Sequence, residues 1–195
     1  MIKLAYTLGS TLLLGLLVNA KPHTNIVYIL ADDLGYGDLS ILGQSHFQTP
    51  HIDELARKGM IFTDHYSGST VCAPSRASLL TGLHTGHAPV RGNLEWQPEG
   101  QYPMPESTYI IPKMLRRAGY TSGIFGKWGL GAPDTSSEPL NLGFDRFYGY
   151  NCQRIAHHYY PYFLWDDDRL EVLWDNFGME VGTYAPDLIH QEVLE

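Results

Sequence analysis

Ser69-Thr-Val-Cys-Ala-Pro-Ser-Arg-Ala-Ser-Leu-Leu-Thr-Gly-Leu-His-Thr-Gly86 is the stretch that carries most information about this chain. Pro74 suits the first turn of a helix, where its missing N–H costs nothing, and Gly82 suits the end of that helix. Cys72 is therefore expected at a helix N-terminus, where free N–H groups and the helix dipole favour an anion. Arg76, one turn further on, adds a fixed positive charge. The pattern predicts a nucleophile facing an oxyanion, and the ordinary alternative is a buried thiol beside a surface arginine.

A short apolar run at residues 26–30 is followed by Asp32 and Asp33. The run is β-branched and bounded by polar residues, which predicts a strand buried on both faces of a mostly parallel sheet. Open sheets of this kind bind ligands at the carboxyl ends of their strands. Two adjacent carboxylates at that edge either cap a turn or hold a cation, and oxygen-only ligation suits Ca²⁺ or Mg²⁺.

The rest of the chain alternates between strand and helix patterns. Residues 49–59 predict a helix with Ile52 and Leu55 on its apolar face, and residues 60–66 predict a second strand. A further helix is expected over residues 108–119. The segment 121–131 reads as a strand that ends among glycines, with Lys127 at its far end. The order predicts an α/β fold with a mostly parallel central sheet flanked by helices.

Three of these motifs together resemble the type I sulfatase family, within the alkaline-phosphatase-like superfamily. Cys-Ala-Pro-Ser-Arg at residues 72–76, followed by Ala-Ser-Leu-Leu-Thr-Gly, resembles the family signature. The segment Asn-Ile-Val-Tyr-Ile-Leu-Ala-Asp-Asp at residues 25–33 resembles its opening strand, and Gly-Lys-Trp-Gly-Leu-Gly at residues 126–131 resembles its lysine motif. The resemblance covers nearly all of the chain after residue 20, and it implies the N-terminal part of a sulfatase domain.

The resemblance also implies roles for the site residues. Cys72 would be oxidised to formylglycine, the catalytic aldehyde, by a formylglycine-generating enzyme or an anaerobic sulfatase-maturing enzyme. Asp32, Asp33 and the modified Cys72 would bind calcium, and Arg76 and Lys127 would act on the sulfate as catalytic residues. The implied activity is that of a sulfuric ester hydrolase acting on a sulfated carbohydrate or an aryl sulfate.

One position departs from the family pattern, because Gly129 stands where the lysine motif normally has a histidine. His157 and His158 are the nearest histidines downstream and are candidate substrate-binding residues, as is Arg91 on the loop after the signature. The aromatic residues between 148 and 174 favour a carbohydrate substrate, since aromatic faces stack on sugar rings.

Two other functions stay open at this point. The same superfamily includes phosphodiesterases and phosphonate monoester hydrolases with a similar cysteine motif. A non-catalytic, exported glycan-binding domain with a plain thiol at Cys72 is the alternative from another class. The helix pattern near residue 195 has no terminating signal, so residues 21–195 are expected to be the first part of a longer catalytic domain, with little activity alone.

Composition and the N-terminus restrict the setting. The chain has 195 residues with 44% hydrophobic and 17% charged residues, which predicts one globular domain. A net charge of −8 without a basic cluster argues against nucleic acid as a partner. Residues 1–20 read as a signal peptide, which predicts export to a periplasm or secretion, with no membrane span after its removal. An exported chain would often join Cys72 to Cys152, but a cysteine destined for oxidation to an aldehyde cannot also be bridged.

Overall fold

The computed structural model describes residues 24–179 and 181–195. The chain divides into two units, Met1–Leu30 and Ala31–Glu195. The signal-peptide segment 1–20 lies outside the described residues. In the first unit, residues 24–30 are neither helix nor paired strand, and their side chains are exposed.

The second unit contains the secondary structure. Its α-helices are α1 (Pro50–Lys58), α2 (Cys72–Thr81), α3 (Ile111–Arg117) and α4 (Ala185–Leu194). Its strands are β1 (Gly123–Lys127), β2 (Arg146–Tyr150), β3 (Phe163–Asp166) and β4 (Arg169–Val172). Short 3-10 turns lie at Tyr36–Asp38, Ser40–Leu42, Ile155–His157 and Trp174–Met179. No helix among the described residues has both the length and the apolar character that crossing a bilayer would need.

The strands form one sheet in the order β1-β2-β3-β4. β1 and β2 run parallel, while β2–β3 and β3–β4 are antiparallel. The fold is therefore α/β, but the expected mostly parallel sheet is wrong for the described chain. Among the strand connections, only residues 128–145 join parallel neighbours, β1 and β2. The turn between β3 and β4 has two residues, which is too short for a crossover, so these strands are antiparallel.

Two predicted strands are absent from the described structure. Residues 26–30 form no strand, with Val27 80% exposed, and residues 60–66 form no strand either, with Phe62 72% exposed. The expected apolar face of α1 is also open to solvent, because Leu55 is 68% exposed. An apolar run becomes a buried strand only when a neighbouring strand takes its backbone hydrogen bonds, and in the described range none does so.

The ends of α1 and α2 agree with the sequence, because they are set locally. α3 starts at Ile111 and not at the expected cap Thr108, because the N–H of Thr108 closes a turn onto the carbonyl of Pro105. α1 starts at Pro50 and ends against Gly59. α2 starts at Cys72 and ends at Gly82, which adopts the left-handed conformation with φ 69°. Glycine takes this conformation at little cost, so the chain can turn away from the helix there.

The main core fixes α2 against the end of β1. Ala73 and Ala77 on α2 are fully buried in one cluster with Trp128, Leu130 and Phe147. Small alanines allow the helix to approach the sheet closely. The consequence is that the first turn of α2 is held at the carboxyl end of the parallel pair β1–β2, the edge where ligands of such pairs bind.

Candidate functional site

Three charged side chains from separate segments meet at this edge. Lys127, the last residue of β1, is only 7% exposed, and its Nζ donates a hydrogen bond to Oδ2 of Asp32. Nη2 of Arg76 lies 3.9 Å from the same oxygen. Nη1 of Arg76 also donates to the backbone carbonyl of Lys127, at 2.6 Å. Asp32, Arg76 and Lys127, which the sequence singled out separately, therefore form one ion-paired cluster.

Burial changes the protonation energetics of Arg76. Desolvation lowers the pKa of its guanidinium below the usual value, and the nearby Asp32 and Cys72 oppose that change. Arginine stays protonated in proteins, so the site keeps a permanent, partly desolvated positive charge. Its Nε is buried without a hydrogen-bond partner in the described structure.

Cys72 lies where the sequence placed it, at the first position of α2. Its side chain is half-buried and its thiol is free, and Cys152 is buried and also free. The expectation that the two are not bridged is confirmed. The backbone N–H of Ala73, in the first turn of α2, has no acceptor within the helix and donates to Oδ1 of Asn93 at 2.8 Å. No local pattern could reveal this cap, because Asn93 lies on a loop after the helix.

The acidic pair supplies only part of a metal site. Asp33 is exposed and adopts the left-handed conformation with φ 54°, which Asp tolerates in turns. Asp32 already contacts two cationic side chains. Within residues 24–179 and 181–195 no three His, Cys, Asp or Glu residues are grouped as a metal would need. Calcium takes about six to eight oxygens, so these donors do not fit a complete calcium site, and metal binding by Asp32, Asp33 and Cys72 stays a prediction.

The three candidate substrate-binding residues lie outside the charged cluster. His157 and His158 are exposed at the turn Ile155–His157. Arg91 is exposed, and its Nη2 donates to the backbone carbonyl of Gly86. In the part of the chain that the structure describes, none of these side chains contacts Lys127 or its two partners. Their roles in binding remain predictions.

Position 129 is filled by a residue that the sequence analysis did not single out. Gly129 has φ +71°, and a Cβ at this position would lie 2.2 Å from Nε2 of Gln153. Gln153 follows β2 and is only 3% exposed. Nothing in the local sequence marks it, because its place beside Gly129 depends on the parallel pairing of β1 and β2.

A family model described as Sulfatase matches residues 24–181. Rat N-acetylgalactosamine-6-sulfatase is 40% identical over 158 residues, which is 76% of this chain and 29% of that protein. Bovine arylsulfatase A is 43% identical over 150 residues, covering 74% of this chain and 28% of that protein. The chain thus spans less than a third of the length of these relatives.

A solved structure gives the same result for the fold. This chain superposes on the solved structure of a protein whose description concerns the metabolism of multiple glycosaminoglycans by Bacteroides thetaiotaomicron. The TM-score is 0.64 and the sequence identity is 32%. The match covers 75% of this chain and 32% of that one.

Proposed function

Because the chain belongs to the sulfatase family, we propose that it carries the nucleophile-bearing part of a sulfuric ester hydrolase, with formylglycine formed from Cys72. The observation that supports this most is the cluster of Arg76 and Lys127 around one carboxylate oxygen, beside the N-terminus of α2. The chain spans less than a third of its relatives, so the activity of the whole protein is part of the proposal.

The two cations are arranged to bind an anionic oxygen. Nζ of Lys127 and Nη2 of Arg76 both face Oδ2 of Asp32, so one oxygen already lies between them. A sulfate oxygen carries the same kind of charge and can take that position when Asp32 moves away. By analogy with oxyanion-hole donors, each cation would contribute about 3 kcal/mol to binding developing negative charge.

The backbone couples the two cations. Nη1 of Arg76 binds the carbonyl of Lys127, so neither side chain can shift without disturbing the other. This contact leaves Nη2 directed toward the anion position. A fixed arrangement of this kind costs no reorganisation when charge develops on the substrate.

Cys72 fits the proposed modification. Its thiol is unbridged, lies at the first position of α2 and is only partly buried. A formylglycine-generating or anaerobic sulfatase-maturing enzyme is the proposed partner, and formylglycine would supply the nucleophile that attacks sulfur. Calcium binding by Asp32 and Asp33 remains part of the proposal, and the anion-binding roles of Arg76 and Lys127 do not depend on it.

A sulfated carbohydrate is the proposed substrate class. The similar proteins include an N-acetylgalactosamine-6-sulfatase and a protein of glycosaminoglycan metabolism, and both names refer to carbohydrates. The chain also exposes neighbouring tyrosines close in sequence to the candidate histidines. The rings of Tyr159 and Tyr184 stack with centroids 5.8 Å apart, and the ring of Tyr160 lies tilted, 5.4 Å from that of Tyr184. Such faces can stack on sugar rings.

Two measurements test the proposal. The chain is co-expressed with a maturing enzyme, and peptide mass analysis is expected to find an aldehyde at Cys72, with Cys152 unmodified as the internal control. Titration with inorganic sulfate is expected to show binding that Lys127→Ala abolishes. An unmodified Cys72, together with sulfate binding that Lys127→Ala does not change, would refute the proposal and favour the glycan-binding alternative.

Comparison of an aryl sulfate with an aryl phosphate diester, on a protein that includes this chain, separates sulfatase from phosphodiesterase activity.

Export is proposed on the pattern of residues 1–20 alone. Cell fractionation with N-terminal sequencing of the exported protein tests it. A mature N-terminus near residue 21 is expected. An uncleaved protein found in the cytoplasm would contradict the proposed export.

A further inference from the structure

Position 129 has no room for a side chain. A Cβ there would meet three atoms of the Gln153 amide, the nearest being Nε2 at 2.2 Å. The backbone of Gly129 is also at φ +71°, a conformation that other L-residues rarely adopt. The amide of Gln153 therefore occupies the volume that a side chain at residue 129 would need.

Hydrogen bonds hold this amide in place. Nε2 of Gln153 donates to the carbonyl of Gly129 at 3.3 Å. The backbone N–H of Gln153 donates to Oε1 of Gln101 at 2.7 Å, and the backbone N–H of Gln101 donates to the carbonyl of Gly131 at 2.8 Å. Gln101 is 2% exposed. The segment that follows Lys127 is thus held at Gly129 and again at Gly131.

The turn at residues 127–129 is also held at its start, by Arg76 of the charged cluster. The carbonyl of Lys127 accepts a hydrogen bond from Nη1 of Arg76. The N–H groups of Trp128 and Gly129 donate to the carbonyls of Tyr150, which ends β2, and of Asn151, which follows it. The carbonyls of Lys127 and Gly129 are therefore each taken by a side chain, the first by Arg76 and the second by Gln153. Loss of either contact frees one end of the turn that carries Lys127.

The orientation of the Gln153 amide leaves its oxygen buried without a hydrogen bond, a free-energy cost that an apolar side chain packed in the same space would not have. Turning the amide over would bring its oxygen against the carbonyl of Gly129, so Nε2 must point there. Oε1 is then buried without a hydrogen-bond partner in the described structure. An unpaired buried acceptor is unfavourable, and an apolar residue of similar size would fill the space without it.

We infer that Gln153, which follows β2, is a positioning residue for Lys127, and that its amide fills the space that a side chain at residue 129 would need. Gln153 acts through the backbone of residues 127–129 and does not itself contact the anion position. The exposed His157 and His158 are not needed for this role. The inference rests on the proposed function, because it assigns Lys127 to anion binding.

The test compares Gln153→Ala and Gln153→Met with a matched buried amide. Gln153→Met keeps the length of the side chain, removes the Nε2 donor and adds no charge. Asn176→Ala is the control, because Asn176 is 1% exposed, fully bonded and part of another segment. Each variant is titrated with inorganic sulfate, and the side-chain signal of Lys127 is followed by NMR with labelled lysine.

Both Gln153 variants are expected to weaken sulfate binding by about tenfold, the equivalent of one lost hydrogen bond, and to shift the Lys127 signal. Asn176→Ala is expected to lower the melting temperature but to keep the affinity within about twofold. If Gln153→Ala does not fold, Gln153→Met decides the question alone. Unchanged affinity and an unchanged Lys127 signal in the Gln153 variants would overturn the inference, while loss of binding in Lys127→Ala would still support the proposed function. If Lys127→Ala changes nothing, the proposed function fails, and the Lys127 signal alone then decides whether Gln153 positions this residue.

Discussion

Removal of the charge on Asp32 is expected to strengthen sulfate binding. In the folded chain its carboxylate takes the place between Lys127 and Arg76 that a sulfate oxygen would need. Under the proposed function, sulfate must first displace this carboxylate, and the competition would lower the affinity for sulfate. Asp32→Asn keeps the size of the side chain and removes the charge, so the two cations become free for an external anion.

The structure gives the size of the effect. Two unit charges 3.9 Å apart, the separation of Arg76 and Asp32, attract by about 4 kcal/mol at an effective dielectric constant of about 20. Because 46% of the Asp32 side chain is exposed, solvent screening reduces its total interaction with both cations to about 1–2 kcal/mol. That free energy corresponds to an affinity increase of about 5–30-fold. The same loss should lower the melting temperature of the sulfate-free variant by a few degrees.

Isothermal titration calorimetry with sodium sulfate at low ionic strength measures the change. In calcium-free buffer Asp33→Asn is the matched control, since it alters net charge equally at the next residue, and the structure gives Asp33 no ion-pair partner within the described residues. Sulfate should also restore the melting temperature of Asp32→Asn, because a ligand of the folded state stabilises it. Equal effects of the two variants, or weaker sulfate binding in Asp32→Asn, would refute the reasoning.

The remaining predictions concern stability. Gly82→Ala should cost about 1 kcal/mol by urea unfolding, because Gly82 has φ +69° with free space around it, whereas Gly92→Ala, also in free space, should cost far less and thereby isolate the backbone term. Trp128→Ala should cost about 3–5 kcal/mol by the same assay, since the ring is 1% exposed in the main core, and a loss below 1 kcal/mol would contradict that packing. Burial raises the pKa of Glu99 despite the hydrogen bond from Nε1 of Trp165, so its charged form opposes folding above the raised pKa and this cost disappears as the pH falls below it. Glu99→Gln should therefore raise the melting temperature at pH 7 and lose this advantage in acid, and an equal gain at both pH values would show that charge is not the cause.

Local chemistry made parts of this fold predictable. The ends of α1 and α2 follow from Pro50, Gly59 and Gly82, which act within one turn of where they stand. The position of Cys72 at the start of α2 follows from the same rules. The cysteine, aspartate and lysine motifs also indicated the family, and the comparisons confirm it.

Strand pairing was predicted less well. Residues 26–30 and 60–66 have the composition of buried strands, yet both are unpaired and exposed in the described structure. Periodicity and β-branching report what a segment prefers, but a strand also needs a neighbour to bind its backbone. That neighbour is a property of the assembled sheet, and this sheet is built from β1–β4.

The sequence alone determined the family and the ends of α1 and α2, because each depends on residues close together in the chain. It also singled out Asp32, Arg76 and Lys127, whose roles stay predictions. Only the tertiary structure decided that Lys127 binds Asp32, 95 residues away, and that Gln153 fills the space beside Gly129. Both contacts arise because the core holds α2 against β1 and because β2 pairs parallel to β1. Such long-range packing brings distant side chains together without leaving a spacing in the sequence that could announce it.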